Sequence, residues 1–91
     1  MKKQIWKFLI EPNITALGMP KDAEILTVQN QYGKPCLWAL VDPENEIEKR
    51  YFEVIGTGHD IHYDMGIDRK YINTFQLDGG ALVFHLFERL N

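Results

Sequence analysis

The sequence predicts an all-β domain, a small antiparallel sheet of about six strands that forms a barrel or a sandwich. Three observations lead to this fold class. Short apolar runs recur along the chain, turn signals separate them, and no stretch between those signals is long enough for a substantial helix. The 91 residues are predicted to form a single domain over residues 1–91, without repeats or linkers.

The six predicted strands are residues 4–10, 24–30, 35–42, 46–55, 70–77 and 81–88. In the first strand Trp6, Phe8 and Ile10 share one face, as the alternation of strand side chains requires. Residues 11–21 are predicted to be a connection, because two prolines and a glycine interrupt regular structure there. The segment 56–68 is the longest irregular piece, with room for one helical turn within 62–68.

Three short turns separate the later strands. Residues 31–34 form a predicted hairpin loop around Gly33, and residues 42–45 form a turn in which Pro43 has the φ angle that the turn needs. The run Asp78-Gly79-Gly80 is a strong hairpin signal. These turns predict consecutive antiparallel strands.

Two predicted strands are apolar on both faces. Residues 36–41 contain no polar side chain apart from the Cys36 thiol, and residues 81–87 are interrupted only by His85. Runs of this kind indicate burial on both faces. A second copy of the chain would cover the outer face, which predicts a homo-oligomer formed through one of these strands. The alternative is that both strands lie between the two layers of one sandwich.

The best candidate for a binding site is Gly56-Thr57-Gly58-His59, at the end of an apolar strand. Glycines on both sides of a threonine allow a tight turn that exposes backbone N–H groups to an anion. His59 would add a switchable charge, and Arg69 and Lys70 would add fixed positive charge from the far end of the loop. The same four residues also fit an ordinary turn.

Metal and catalytic sites have less support. His59, His62 and Asp64 could approach a metal site, but the pair of histidines lacks the helical context that makes zinc motifs specific. Serine nucleophiles are excluded because the chain contains no serine, and Cys36 lies in an apolar run typical of a buried thiol. The prediction is therefore a protein that is not an enzyme and needs no metal or cofactor.

Charge and hydropathy exclude further classes. A net charge of -3 argues against nonspecific nucleic-acid binding, which needs an excess of basic residues. The N-terminal apolar stretch is too short and too charged for a signal sequence, and nothing is long enough to span a bilayer. With a single cysteine, these features predict a cytoplasmic protein with no membrane partner.

Four segments resemble a family of short phage and prophage proteins of unknown function. These segments are Met19-Pro20-x-x-Ala23-x-Ile25-Leu26, the run from Gly33 to Asp42, Gly56-Thr57-Gly58-His59, and the run from Leu82 to Glu88. The resemblance implies a small accessory protein of an infected bacterial cell and no catalytic residue.

Two functions are compatible with that context. In the first, the chain binds and modulates a bacterial host protein through the 56–68 loop and an acidic surface, whose predicted members are Asp42, Glu44, Glu46 and Glu48. In the second, it sequesters a phosphorylated small molecule or nucleotide signal at Gly56-Thr57-Gly58-His59, with help from Arg69 or Lys70.

Overall fold

A computed structural model describes residues 2–61 and 68–90, and these residues form two antiparallel β-sheets. The strands are β1 (Gln4–Leu9), β2 (Ile14–Pro20), β3 (Glu24–Gln31), β4 (Lys34–Val41), β5 (Ile47–Gly56), β6 (Arg69–Leu77) and β7 (Leu82–Arg89). The three-stranded sheet has the order β1-β4-β3 and the four-stranded sheet has the order β2-β5-β7-β6. The predicted all-β class is confirmed, and the described strands form two sheets rather than one closed barrel.

One apolar core is shared by the inner faces of both sheets. Met19, Phe52 and Leu86 come from the four-stranded sheet, and Leu37 and Ala39 come from β4 in the other sheet. All five side chains are completely buried. Because every second residue of a strand points the same way, each sheet needs only its alternate positions to build this core. The arrangement is that of a sandwich.

Strand β2 corrects the predicted connection over residues 11–21. It pairs with β5 along its whole length, from Ile14 opposite Glu53 to Pro20 opposite Ile47. The proline and glycine within β2, which were interpreted as breakers of regular structure, are tolerated because β2 is an edge strand. A proline at the end of an edge strand interrupts no backbone hydrogen bonding between strands. Gly18 faces the Ile47 side chain, which lies 3.1 Å from the position that a Cβ atom would occupy.

The predicted turns are confirmed where the structure describes them. Tyr32 and Gly33 both have positive φ angles, 52° and 80°, as a two-residue hairpin turn of the primed type requires. The Asp42 carboxylate accepts the Glu44 N–H at 3.0 Å and the Asp42 carbonyl accepts the Asn45 N–H. Asp42 is consequently buried and stabilises the turn, so it does not belong to an exposed acidic surface.

The two apolar strands are central strands of their sheets. β4 lies between β1 and β3, and β7 lies between β5 and β6. The neighbouring strands on both sides contribute much of the burial that was predicted for these two strands. On the outer face, Trp38 and Leu40 are half-buried. Neither strand has a free edge, so a second copy cannot extend either sheet through β4 or β7.

An ion pair inside the sandwich joins two strands to the crossover between the sheets. Arg50 on β5 contacts Glu88 on β7 through two parallel hydrogen bonds of 2.6 and 2.8 Å. The same guanidinium donates at 2.7 Å to the carbonyl of Ala23, where the chain leaves β2 for β3. The hydrogen bonding that Arg50 donates to the Glu88 carboxylate raises the pKa of Arg50. A raised pKa means that this stabilisation is complete below the unfolded-state pKa and is lost only at strongly alkaline pH.

Glu88→Gln is expected to lower the free energy of unfolding by about 2–3 kcal/mol, because it leaves the Arg50 charge without its partner in a largely buried position. Urea denaturation followed by tryptophan fluorescence measures the change. The control is Glu44→Gln, which neutralises an exposed acid and is expected to change stability by less than about 0.5 kcal/mol. Equal effects of the two substitutions would contradict the role of the pair.

Candidate functional site

An apolar cleft opens between the sheets at one end of the sandwich. Its volume is about 250 Å³. The walls are alternate residues of strands that end here, with Val54 from β5, Phe75 and Leu77 from β6, and Phe84 from β7. The rings of Phe75 and Phe84 lie 5.7 Å apart, in contact across neighbouring strands. The cleft is therefore built from residues held by sheet pairing.

The opposite wall and the rim come from the start of the chain and from the 56–59 turn. Ile10 and Pro12 contribute apolar surface from the connection after β1. The polar groups at the cleft are Glu11, Asn13 and His59. An apolar interior with a few polar groups at the mouth is the usual composition of a binding cleft.

The predicted glycine-rich segment forms a tight turn that places His59 at this cleft. The Gly56 carbonyl accepts the His59 N–H at 3.1 Å, and Gly58 has a φ of 83°. The His59 ring folds back over Gly56, so that a Cβ atom on Gly56 would lie only 2.8 Å from the ring. Gly56 is therefore required for close approach and Gly58 for its backbone angle.

Thr57 connects the turn to a chain of side-chain hydrogen bonds. Its hydroxyl lies 2.7 Å from His85 Nε2, and His85 Nδ1 lies 2.9 Å from the Thr74 hydroxyl. The Thr74 hydroxyl in turn lies 2.6 Å from the Tyr71 hydroxyl. The Thr57 N–H also donates to the Val83 carbonyl at 3.1 Å. These bonds anchor the turn to β6 and β7, and they occupy the Thr57 groups that were predicted to contact an anion.

This chain of hydrogen bonds is not predicted by the sequence. His85 interrupts an otherwise apolar run, and that was the available signal. Thr74 lies opposite His85 only because of the pairing register of β6 and β7, which contains a bulge between Tyr71 and Asn73. Register within a pair of strands cannot be read from either strand alone.

Arg69 and Lys70 are not brought to the turn. Gly56 pairs with Phe84, whereas Arg69 pairs with Arg89 at the other end of β7, about 17 Å away by strand geometry. The Arg69 guanidinium donates at 2.7 Å to Glu53. Lys70 is exposed, opposite Glu88. The predicted fixed positive charge is thus at the opposite end of the four-stranded sheet.

Residues 2–61 and 68–90 contain no group of three or more His, Cys, Asp or Glu side chains placed to hold a metal ion. His62 and Asp64, which completed the predicted metal site with His59, lie outside the described residues, as does most of the predicted helical turn over 62–68. Cys36 is buried, and its thiol lies 3.6 Å from the Lys34 carbonyl. Within the same part of the chain, no helix is long and apolar enough to cross a membrane.

Comparison with known proteins gives a single finding. Residues 1–91 match the model of a family described as a domain of unknown function (DUF7352). No curated protein and no solved structure matches the chain with significance. The comparison assigns no activity to the cleft or to the turn.

Thr57→Val and Thr74→Val are each expected to lower the free energy of unfolding by about 1 kcal/mol, since each removes a hydroxyl that binds His85. The double variant tests whether the two hydroxyls act through the same imidazole. Its destabilisation should differ from the sum of the single values by about 0.5 kcal/mol or more. Strict additivity in thermal denaturation would show that His85 does not couple them.

Proposed function

We propose that this chain, which belongs to the DUF7352 family, is a small non-catalytic protein that binds and modulates a bacterial host protein. The observation that supports the proposal is the cleft, an apolar cavity of about 250 Å³ that is open at one end of the sandwich. In this proposal, an apolar side chain of the partner enters the cleft and anchors the complex.

A partner side chain suits the size of the cleft better than a whole small molecule does. Clefts that enclose drug-sized ligands usually measure about 300–1,000 Å³, so this one is small for that purpose. Aromatic and large aliphatic side chains are the usual anchors of protein interfaces, and burying one contributes about 1.5–3 kcal/mol. The cleft walls come from β5, β6 and β7, so little ordering of the chain opposes binding.

The rim suits a protein partner as well. Glu11, Asn13 and His59 are exposed beside the apolar walls. Protein interfaces commonly combine a desolvated apolar centre with a polar rim that remains in contact with water. His59 can donate or accept a hydrogen bond there, and a protonated imidazole would favour an acidic group on the partner.

The setting that we propose is the cytoplasm of a bacterial cell that carries a phage or prophage. The similarity of four sequence segments to short phage proteins supports that origin, and the single buried cysteine is compatible with a reducing compartment. Such accessory proteins often act by occupying a host protein. The acidic balance of the chain favours a protein partner over nucleic acid, and we include homo-oligomerisation in the proposal.

A second candidate function is the sequestration of a phosphorylated small molecule at the 56–59 turn. The observation in its favour is that Thr57, Gly58 and His59 are all exposed, and Gly58 has a positive φ angle of 83° within a tight turn. Against it, the Thr57 N–H and hydroxyl are engaged by Val83 and His85. The host-protein function is therefore the better supported of the two.

Leu77→Trp is expected to reduce recovery of the partner at least about tenfold in a pull-down from bacterial lysate, because the larger side chain occupies the cleft that an anchor would enter. The matched control is Leu26→Trp, the same substitution at an exposed leucine outside the cleft. Circular dichroism and thermal denaturation establish that both variants are folded. Equal recovery with the two variants, or a wild-type protein that recovers no stoichiometric partner, would refute the proposal.

The two candidate functions are separated by Thr57→Ala combined with His59→Ala. If the turn captures a phosphorylated molecule, nucleotides should raise the melting temperature of the wild-type protein and leave that of the double variant unchanged. Native mass spectrometry of freshly purified protein would then also show a released small molecule. A wild-type protein that no nucleotide stabilises would eliminate this second function without affecting the first.

A further inference from the structure

Within residues 2–61 and 68–90, no strand pairs with the outer edge of β1. β1 forms one edge of the three-stranded sheet, and among the described residues β4 is the strand that pairs with it. Two apolar side chains of β1, Ile5 and Leu9, are 61% and 51% exposed. An edge with unpaired backbone groups and exposed apolar side chains is a template for another strand.

The hydrogen-bond pattern shows which residues face that edge. The Ile10 N–H donates to the Pro35 carbonyl at 3.1 Å, in line with the pairing of β1 and β4. Backbone groups of alternate residues in an antiparallel strand point to the same side, so the even-numbered residues of β1 point toward β4. The N–H and C=O groups of Ile5, Lys7 and Leu9 therefore point to the open edge.

The other sheet edges are less suited to pairing. The open side of β2 carries the backbone groups of Gly18 and Pro20, and a proline has no N–H to offer. The Asn73 side chain of β6 donates to the Thr27 hydroxyl of β3, where these two edge strands lie against each other. β1 contains neither proline, glycine nor a bulge. These differences single out β1.

We infer that β1 pairs antiparallel with β1 of a second copy of this chain, joining two three-stranded sheets into one of six strands. This inference deepens the homo-oligomer part of the proposed function and assigns it to a strand that the sequence analysis did not consider. A second copy is the occupant because one two-fold axis pairs both open edges at the same time. The exposed faces of the two β1 strands then lie side by side on the outer face of the joined sheet.

Side-chain alternation and charge select the register. Opposite residues of paired strands must project their side chains to the same face of the sheet. A register shift by one residue would move the side chains of one strand to the other face. A two-fold axis at Lys7 would place two ammonium groups opposite each other, and an axis at Ile5 would place Lys3 opposite Lys7. An axis at Trp6 avoids both of these lysine–lysine pairs and places Ile5 opposite Lys7 of the second copy. It also retains more strand pairs than an axis at Phe8.

The first experiment is sedimentation velocity over a range of micromolar concentrations, with Lys7→Pro and Lys7→Ala compared to wild type. Proline removes an N–H that faces the open edge and breaks no bond to β4, whereas alanine retains that N–H. Wild type and Lys7→Ala are expected to dimerise as the concentration rises. Lys7→Pro should raise the dimer dissociation constant about tenfold or more, because it removes one hydrogen bond from each half of the symmetric pair.

A second experiment tests the register and does not depend on a proline. Ile5→Cys and Lys7→Cys are prepared separately in a Cys36→Ala background, then oxidised alone and as a mixture. Both positions are exposed and lie on the same face of β1. The mixture is expected to give a disulfide-linked dimer, and each single variant should give little, because the register places position 5 opposite position 7.

Three results would overturn the inference. A monomer at every concentration would remove the dimer and also the oligomer part of the proposed function. A dimer that Lys7→Pro leaves intact, with no cross-link in the mixture, would move the interface to another surface and leave that part standing. Cross-linking by Lys7→Cys alone would replace this register by one centred on Lys7. None of these outcomes affects the cleft, which the Leu77→Trp comparison tests separately.

Discussion

The Arg50–Glu88 pair is the polar interaction that connects the four-stranded sheet to the chain segment leading into the other sheet. Its bidentate bonds of 2.6 and 2.8 Å connect β5 to β7, and the bond to Ala23 fixes the point where the chain passes from one sheet to the other. Removing either charged group would leave the other uncompensated in a largely buried place, which is far more costly than losing a surface pair. The shared apolar core and the Asn73–Thr27 hydrogen bond between β6 and β3 are further contacts that hold the two sheets together.

The two ends of the sandwich interior are therefore different. Near Arg50 the interior contains a satisfied polar pair that lines a second cavity of about 230 Å³, while about 13 Å further along β5, at Val54, it opens into the apolar cleft. An unfilled apolar cavity forfeits the packing energy of its walls, which makes the cleft a costly feature for the isolated protein. An apolar group that enters the cleft would restore these packing contacts, and for this reason the proposed function relies on the cleft and not on the exposed turn beside it.

The 56–59 turn supports the cleft and is held by its own polar network. Gly56 allows the His59 ring to lie close to the backbone, and Thr57 attaches the turn to His85. Because His85 is itself held by Thr74 on β6, the position of His59 depends on the pairing of two strands remote in sequence. In the proposed function, the partner would contact a rim that the four-stranded sheet keeps in place.

Local sequence patterns were sufficient for most of the fold. Period-two alternation and turn chemistry located six of the strands to within one or two residues, and the Tyr32-Gly33 turn follows from residue types alone. β2 was not predicted because a proline such as Pro20 would interrupt a central strand, although it is tolerated at the end of an edge strand. Whether a strand lies at an edge is decided by the whole sheet, so it cannot be determined from the strand's own residues. Gly56 and His59 were identified correctly as neighbours in a turn. Only the tertiary structure decided that they border an apolar cleft and that Thr57 binds His85. It also decided that Arg69 and Lys70 lie at the other end of β7. The reason is that long-range strand pairing determines which distant residues meet.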